Sequence, residues 1–236
     1  MALPVIQHPV FTLTLPSTKQ KVDFRPFLVK EEKILLVAQA SGEQGDVIRA
    51  VKQVVANCIT SKDVNVDDFT TFDLEYFFIK LRSKSVQNVI KLTYRDREDD
   101  KLYEVEVDLE QVEVKYPEES IKKVKVTDNI SLSLRYPRVN IIDTMTNVEN
   151  DVDFNFLIMR ACIDKIIVDG AEQDLSESTD EELQQFVDSF SVPVYQQMQQ
   201  HISSMPKIEH TISYVNSNDK KVEIVLRTLT DFFSLG

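Results

Sequence analysis

Residues 69–82 read FTTFDLEYFFIKLR, and this aromatic-rich stretch predicts the helix around which the neighbouring segments pack. Thr70 precedes the first helical turn and Asp73 follows three residues later, which resembles a capping box. The helix has two apolar faces: Phe72, Tyr76 and Ile79 on one, and Leu74, Phe77, Phe78 and Leu81 on the other. Such a helix either lies at the centre of a core or has one face covered by a partner. We predict a core helix with Phe72 and Phe77 both buried in the monomer.

Upstream of this stretch, the sequence predicts a β-hairpin followed by two helices. Residues 10–15 and 19–23 alternate between apolar and polar on either side of a Pro-Ser-Thr turn, which is typical of a hairpin. The first helix has four apolar residues on one face, namely Val29, Leu36, Val37 and Ala40. After Ser41-Gly42, a second helix has apolar residues at spacings of three and four, namely Val47, Ile48, Val51, Val54, Val55 and Cys58. The short turn predicts that these helices pack antiparallel.

Downstream, the apolar period changes to two between residues 88 and 136, which predicts an antiparallel sheet with one solvated face. Residues 208–226 show the same period around a turn at residues 216–219 and predict a C-terminal hairpin. A second helical block lies between them. The fold class is therefore α+β: an N-terminal hairpin, helices, an antiparallel sheet, a second helical block and a C-terminal hairpin.

The second helical block is predicted as three helices. The first has its apolar stripe over residues 154–162 and ends at Asp169-Gly170, a glycine stop signal. Ser178 with Glu181 predicts a capping box for the next helix, and Pro193 fits the first turn of the third.

The order of elements suggests two α-then-β subdomains. Residues 1–136 contain the hairpin, three helices and the sheet, whereas residues 137–236 contain the second helices and the C-terminal hairpin. One compact unit is the alternative.

Composition excludes several classes of function. The formal net charge of −12 over 236 residues repels a polyanion, so we expect no nucleic-acid partner. With only 4 glycines, the chain has no glycine-rich phosphate loop, and we expect no cofactor. No apolar run approaches the roughly 20 residues that cross a bilayer, and the N-terminus lacks the features of a signal peptide, so we expect no membrane association. Two cysteines cannot form a disulfide framework, which fits a reducing cytoplasm.

Tests for catalytic and metal sites give no candidate. The acidic loop at residues 96–100 does not fit an EF-hand, because Lys101 stands where glycine makes the turn and Val107 where glutamate is required. We predict a solvated hairpin loop there. His8, His201 and His210 lack the paired spacing of zinc ligands, although His201 and His210 could approach each other across Pro206. We therefore predict no catalytic residue and no metal site.

The N-terminal third carries a family resemblance. Residues 9–18 read PVFTLTLPST and residues 24–38 read FRPFLVKEEKILLVA, and together they resemble the N-terminal signature of T-even-type bacteriophage baseplate hub and hub-assembly proteins. Asn57-Cys58, the aromatic helix and the terminal Asp231-Phe232-Phe233 agree with that family. The resemblance covers about the first ninety residues well and the remainder only by architecture.

The resemblance implies a non-enzymatic late phage protein. It would act in the host cytoplasm, assembling the central hub of the tail baseplate by binding hub proteins, either as a hub subunit of the virion or as an assembly factor. Some relatives are expected to carry paired cysteines in two hairpin loops, which here are residues 95–101 and 216–220. This chain has no cysteine in either loop, so a zinc site does not carry over. The alternatives are a cytosolic enzyme with dispersed catalytic residues and a generic adaptor.

The same resemblance names the candidate partner-binding residues. Arg25, Pro26 and Phe27 place an arginine among apolar side chains before a helix, a composition suited to an interface. Phe232 and Phe233 are two adjacent aromatic residues at a terminus that would otherwise fray. The alternatives are that Phe27 staples the hairpin onto the first helix, that Arg25 is a buried ion-pair partner, and that the terminal phenylalanines anchor the chain to its own core.

Overall fold

The computed structural model describes residues 6–42, 44–144, 151–173, 175 and 178–232. Its helices are α1 Val29–Ser41, α2 Gln44–Cys58, α3 Thr71–Ser85, α4 Asp151–Cys162, α5 Asp180–Asp188, α6 Val192–Ser203 and α7 Leu229–Phe232. Its strands are β1 Phe11–Thr14, β2 Lys21–Phe24, β3 Val89–Arg95, β4 Leu102–Asp108, β5 Glu113–Lys115, β6 Lys123–Lys125, β7 Ile130–Leu134, β8 Ile163–Val168, β9 Ala171–Gln173, β10 Lys207–Val215 and β11 Lys221–Leu226. The predicted α+β class is confirmed, and so are both terminal hairpins.

The strands form four small antiparallel sheets. β1 pairs with β2, β3 with β4, β5 with the β10–β11 hairpin, and β6 to β9 form a four-stranded meander. The single sheet predicted over residues 88–136 is therefore wrong, because β7 pairs with β6 and β8 rather than with β4. The two three-residue strands between them explain the error, since β5 pairs with β10 far along the chain while β6 begins a new sheet.

The chain forms two compact units. The first unit contains the residues up to Lys115 together with those from Lys207 onward, and the second contains Tyr116–Pro206. This division differs from the predicted boundary at residue 136. The physical reason is the pairing of Lys207 with Lys115 at the start of β10, which brings the C-terminal hairpin back to the first unit.

Helix α3 lies in the core of the first unit, as predicted. Phe72 and Phe77 are 2% and 0% exposed, and the Phe77 ring packs edge-on against Phe24 of β2 with 5.1 Å between centroids. Ile79 belongs to a second buried cluster formed with the strands, which includes Ile90, Leu92, Val107, Ile208 and Phe232. Lys80 also fixes the helix, because its ammonium donates to the carbonyls of Leu109, Glu110 and Val112 at 2.7–3.1 Å. Both apolar faces of α3 are thus covered within this unit.

The N-terminus of α3 is held by the capping box that the sequence predicts. The Thr70 hydroxyl accepts from the Asp73 amide at 3.2 Å, and the buried Asp73 carboxylate accepts from the Thr70 amide at 3.0 Å. Asp73 also accepts from the amide of Ser17 at 2.9 Å and from its hydroxyl. The Pro-Ser-Thr turn of the N-terminal hairpin is therefore bonded to the start of the core helix.

The second unit departs from the predicted helical block at two points. Helix α4 ends at Cys162, and residues 163–168 form β8, because isoleucine and valine dominate this segment and favour a strand. Asp169 and Gly170 then have φ values of +49° and +81° and form the tight turn into β9, rather than a helix end. The cap of α5 is Thr179 with Glu182, one residue beyond the predicted pair. Pro193 stands in the first turn of α6, as predicted.

His201 fastens α6 to the meander of the second unit. Its Nδ1 lies 2.7 Å from the Ile121 carbonyl oxygen, its Nε2 lies 3.0 Å from that of Arg135, and its ring stacks on Tyr136 at 5.5 Å. Both ring nitrogens are thus engaged by backbone. His210 is a partly buried strand residue of β10, as predicted.

Candidate functional site

Helix α1 exposes the apolar face that its sequence pattern defines. Val29 is 86% exposed, Leu36 55% and Val37 64%, and Ala40 is also exposed. We call these four residues the α1 face. At 3.6 residues per turn, buried Glu31 and Ala38 lie on the opposite side of the helix, roughly 180° from Val29 and Leu36. The helix therefore packs by its other side, and the predicted apolar stripe points to solvent.

Helix α2 packs against α1 and buries most of its own apolar stripe. It packs into the unit with small and β-branched residues, namely Ala50, Val51, Val54, Val55 and Cys58, all at most 5% exposed. The turn between the helices contains Gly42 with φ +75°, a left-handed C-cap. Directly after this turn, Val47 and Ile48 are 37% and 39% exposed, so exposed apolar side chains continue on the adjoining end of α2.

An ion pair fixes the orientation of α1 at its N-terminus. The Arg25 guanidinium contacts both carboxylate oxygens of Glu31, at 2.9 and 3.3 Å, and donates to the Asn57 carbonyl at 3.0 Å. The Glu31 side chain is fully buried and also accepts from the Leu28 amide at 2.9 Å. Burial would raise the pKa of Glu31, but these hydrogen bonds and the arginine charge outweigh it and hold the pKa below its ordinary value.

The structure places the other predicted N-terminal site residues beside this ion pair. Pro26 is half-buried, and its carbonyl accepts from Arg25 at 2.9 Å. Phe27 is 6% exposed, and its amide donates to the Ser85 hydroxyl at 2.9 Å, at the end of α3. The Arg25 side chain is 17% exposed. These residues join the hairpin to α1, while the large exposed side chains belong to the helix that follows.

At the C-terminus, Phe232 is 1% exposed and belongs to the buried cluster around β10. Asp231 begins this attachment, since its carboxylate accepts from the amides of Arg227 and Thr228 at 2.8 and 2.9 Å. Phe233 lies outside the described residues. Of the two predicted C-terminal site residues, the structure therefore describes Phe232 alone, and its ring points into the core.

Two hairpin tips of the first unit meet in a polar network that the sequence does not predict. The rings of Tyr103 on β4 and Tyr214 on β10 stack with 4.6 Å between centroids. Asp99 accepts from the Tyr103 hydroxyl at 2.5 Å and from the Ser217 amide at 3.0 Å. Asp96, predicted in a solvated loop, is only 3% exposed and accepts from the Tyr214 hydroxyl at 2.8 Å. The sequence signal was the frequency of Asp, Asn and Ser in both turns, which form such local bonds.

The polar groups of this network are hydrogen-bonded to one another and to the backbone of the two loops. Hydrogen bonds to the loop amides and hydroxyls hold the pKa values of Asp96 and Asp99 below their ordinary range, while burial raises that of Tyr214 to about 12. Lys220 pairs with Glu98 at the edge of the adjacent groove of about 580 Å³. Across the described part of the chain, no three His, Cys, Asp or Glu residues are grouped as metal ligands would be. These bonds indicate that the network has a structural role and holds the two hairpin tips together.

Comparison with known families decides between the classes of protein that this geometry allows. The model of one family, described as T4 bacteriophage base plate protein, matches residues 8–234. The chain belongs to this family. The baseplate protein therefore has a structural role in a phage baseplate, which indicates other baseplate proteins as its partners and the virion baseplate as its location. The family relationship that the N-terminal residues suggested is thus confirmed over nearly the whole chain.

The other comparisons add no relative. No curated protein and no solved structure matches the baseplate protein. None of the helices in its described segments is long and apolar enough to cross a membrane.

Proposed function

We propose that the baseplate protein acts in assembly of the central hub, binding hub proteins through the α1 face as a hub subunit or as an assembly factor. The observation that carries this proposal is the exposure of Val29, Leu36 and Val37 on a helix whose opposite side is buried. Clusters of exposed apolar side chains rimmed by polar groups mark protein interaction sites in soluble proteins. In a family of baseplate proteins, the expected partner is another protein of the particle.

In our proposal, the segment Arg25, Pro26 and Phe27 supports this function by positioning α1. The ion pair of Arg25 with Glu31 sets the start of α1 and thereby the side that faces solvent. Phe27 fastens the same segment to the end of α3 through its amide. At the other end of the chain, Phe232 and Phe233 anchor the terminus to the first unit or offer a second contact.

The proposed setting is the host cytoplasm during late assembly, without enzymatic activity and without nucleic acid or membrane as a partner. The net charge of −12 supports the exclusion of polyanions. A non-enzymatic role is supported by the family and by the groove beside Asp96, whose acidic groups are bonded to neighbouring side chains and amides. A cytosolic enzyme would instead need titratable groups that converge on one pocket and are still able to bond a substrate.

Mass spectrometry of purified virions beside infected-cell lysate tests this role. We expect the protein to co-purify with hub proteins from the lysate. Its presence in virions would identify a hub subunit, and its absence from them an assembly factor. Failure to co-purify with any hub protein would contradict the proposed function.

A matched pair of variants tests the surface. Leu36→Glu places a charge on the α1 face, whereas Leu102→Glu places one on β4 of the same unit, at a leucine that is 63% exposed. Both variants should fold, because each side chain already meets solvent. We expect only Leu36→Glu to lose co-purification with hub proteins.

A further inference from the structure

The charges on the exposed side of α1 are positive, although the chain as a whole is acidic. Lys30 is 69% exposed, and its ammonium lies 3.4 Å from Glu31. Lys33 is exposed and forms no ion pair with a residue that the structure describes. By helix geometry Lys33 lies between Val29 and Val37, and Lys30 lies at the margin beside Val37. Both ammonium groups thus lie on the Val37 side of the stripe that Val29, Leu36 and Ala40 form.

The acidic residues nearby do not cancel this charge at the surface. Glu31 is fully buried, and its single charge is shared between Arg25 and Lys30, so one positive charge of the three groups remains. Glu32 has a buried carboxylate oxygen, and its charge acts on Arg82 of α3. Asp46, at the start of α2, is paired with Arg49 at 2.6 Å. A partner approaching α1 thus meets lysines in a chain whose net charge is −12.

This charge pattern disfavours a second copy as the occupant. In a two-fold dimer the same patch faces itself, so the lysines of one α1 would face either the lysines or the apolar stripe of the other, and the α1 face offers them no carboxylate. Like charges set opposite each other oppose association. The complementary surface is one with carboxylates beside an apolar stripe.

The spacing of the stripe indicates the shape of that surface. Val29 and Leu36 are seven residues apart, and Ala40 follows four residues later, which is the repeat by which one helix packs along another. From Val29 to Ala40 the stripe covers about three helical turns. An amphipathic helix of similar length would cover it.

We propose that the α1 face binds an amphipathic helix of a hub protein, and that Asp or Glu residues flank the apolar stripe of that helix. This inference rests on the proposed function of the α1 face. The apolar residues supply buried area, and Lys30 and Lys33 select acidic flanks and set the direction of the partner helix.

Two synthetic helical peptides of about 20 residues can serve as probes, long enough to cover the stripe. They share one leucine stripe and differ only in flanks of glutamate or lysine. Fluorescence anisotropy with the full chain should show tighter binding of the glutamate peptide by about fivefold or more, consistent with two exposed ion pairs. This preference should shrink as salt is raised from about 0.05 to about 0.5 M, because exposed charges are screened.

Reversing the charge of the two lysines is the decisive test of this preference. The double variant Lys30→Glu/Lys33→Glu should prefer the lysine peptide, whereas Leu102→Glu should keep the original preference. Equal binding of both peptides, binding of neither, or a preference unchanged by the reversal would overturn the proposal. So would sedimentation showing a homodimer that Val37→Asp dissociates, because a second copy would then occupy the face.

The failure of this inference can be separated from failure of the proposed function. If Leu36→Glu abolishes hub co-purification while Lys30→Glu/Lys33→Glu preserves it, the face binds hub proteins and the acidic-helix proposal is wrong. If Leu36→Glu leaves co-purification intact, the proposed function of this face is itself wrong.

Discussion

Helices α1 and α3 share one sequence property and have opposite environments. Each has apolar residues on two faces, which in α1 are the α1 face and the opposite side with Ile34, Leu35 and Ala38. Both faces of α3 are buried in the first unit, with Phe77 and Ile79 at 0% exposure. One face of α1 is buried through Glu31 and Ala38, and the other exposes Val29 to 86%. A two-faced apolar helix therefore does not reveal from its own pattern which face the fold will cover.

The difference lies in side-chain size and in a single ion pair. The faces of α3 carry aromatic rings, whose large area makes burial strongly favourable. The outward face of α1 carries two valines, a leucine and an alanine with Lys33 among them, so less area is gained by burying it. The Arg25–Glu31 pair then holds the side with Glu31 and Ala38 inward. What remains exposed is available for a partner.

The largest expected effect separates the two helices directly. Phe77→Ala removes a fully buried ring from α3 and should destabilise the protein by about 3–5 kcal/mol, with lower soluble yield. Leu36→Ala on α1 should change the free energy of unfolding by no more than about 0.5 kcal/mol, because its side chain is already exposed. Urea unfolding of both variants measures the contrast.

Phe72→Ala is the matched control on the other face of α3, and it should be as damaging as Phe77→Ala. If either phenylalanine variant kept full stability but lost association with hub proteins, that face of α3 would be an interface and the contrast with α1 would disappear.

The second prediction concerns the ion pair that orients α1. Arg25→Ala leaves the buried Glu31 carboxylate without its bidentate partner and should destabilise the protein by about 3 kcal/mol. Adding Glu31→Gln should restore part of that loss, because glutamine can still accept from the Leu28 amide and carries no charge. Co-purification should follow stability in these variants. Lost binding by Arg25→Ala at unchanged stability would instead make Arg25 a direct contact.

Much of the local structure could be predicted from sequence, because capping residues and alternation act within a few residues. The Thr70–Asp73 cap, the two terminal hairpins and the buried rings of α3 follow from such signals. Pairings at long range could not be predicted. β5 bonds to β10, which lies more than ninety residues later, and nothing in either strand specifies that register.

The candidate site shows the same limit. The pattern identified the four residues of the α1 face but not their exposure, since exposure depends on the packing of α2 and on the Arg25–Glu31 pair. Likewise, Asp-Gly at residues 169–170 ends helices and also makes hairpin turns, and the β-branched residues of β8 decided between them.

The third prediction compares fully buried Glu31 on α1 with half-buried Glu75 on α3. Glu31 on α1 is paired, whereas Glu75 on α3 makes no hydrogen bond or ion pair with any described residue, and burial raises its pKa to about 7. The unfolded chain has the ordinary glutamate pKa of about 4.3. The folded state thus binds the proton more tightly than the unfolded chain. Ionisation of this group therefore lowers the free energy of unfolding as pH rises from about 4 to about 7, and the loss is constant above.

Glu75→Gln tests this pH dependence. At about pH 8 the variant should be more stable than the parent by up to about 3 kcal/mol, and at about pH 4 the difference should vanish. Urea unfolding at both values measures it, and Glu119→Gln, at an exposed position, should show no such trend. A difference that is the same at both pH values would show that folding does not raise the pKa of Glu75.

The smallest effect isolates the two faces of α1 within a single helix. Ala38 is 8% exposed and points into the first unit, whereas Ala40, two residues later, is exposed. Leucine favours helices almost as strongly as alanine, so helix propensity is nearly the same in the two substitutions. Ala38→Leu should overpack the interior and destabilise by about 1–3 kcal/mol, whereas Ala40→Leu should stay within about 0.5 kcal/mol. Since Ala40→Leu enlarges the α1 face, it should also preserve or strengthen hub co-purification. Equal destabilisation by both variants would mean that α1 is covered on both sides, as α3 is, and that no free face remains for a partner.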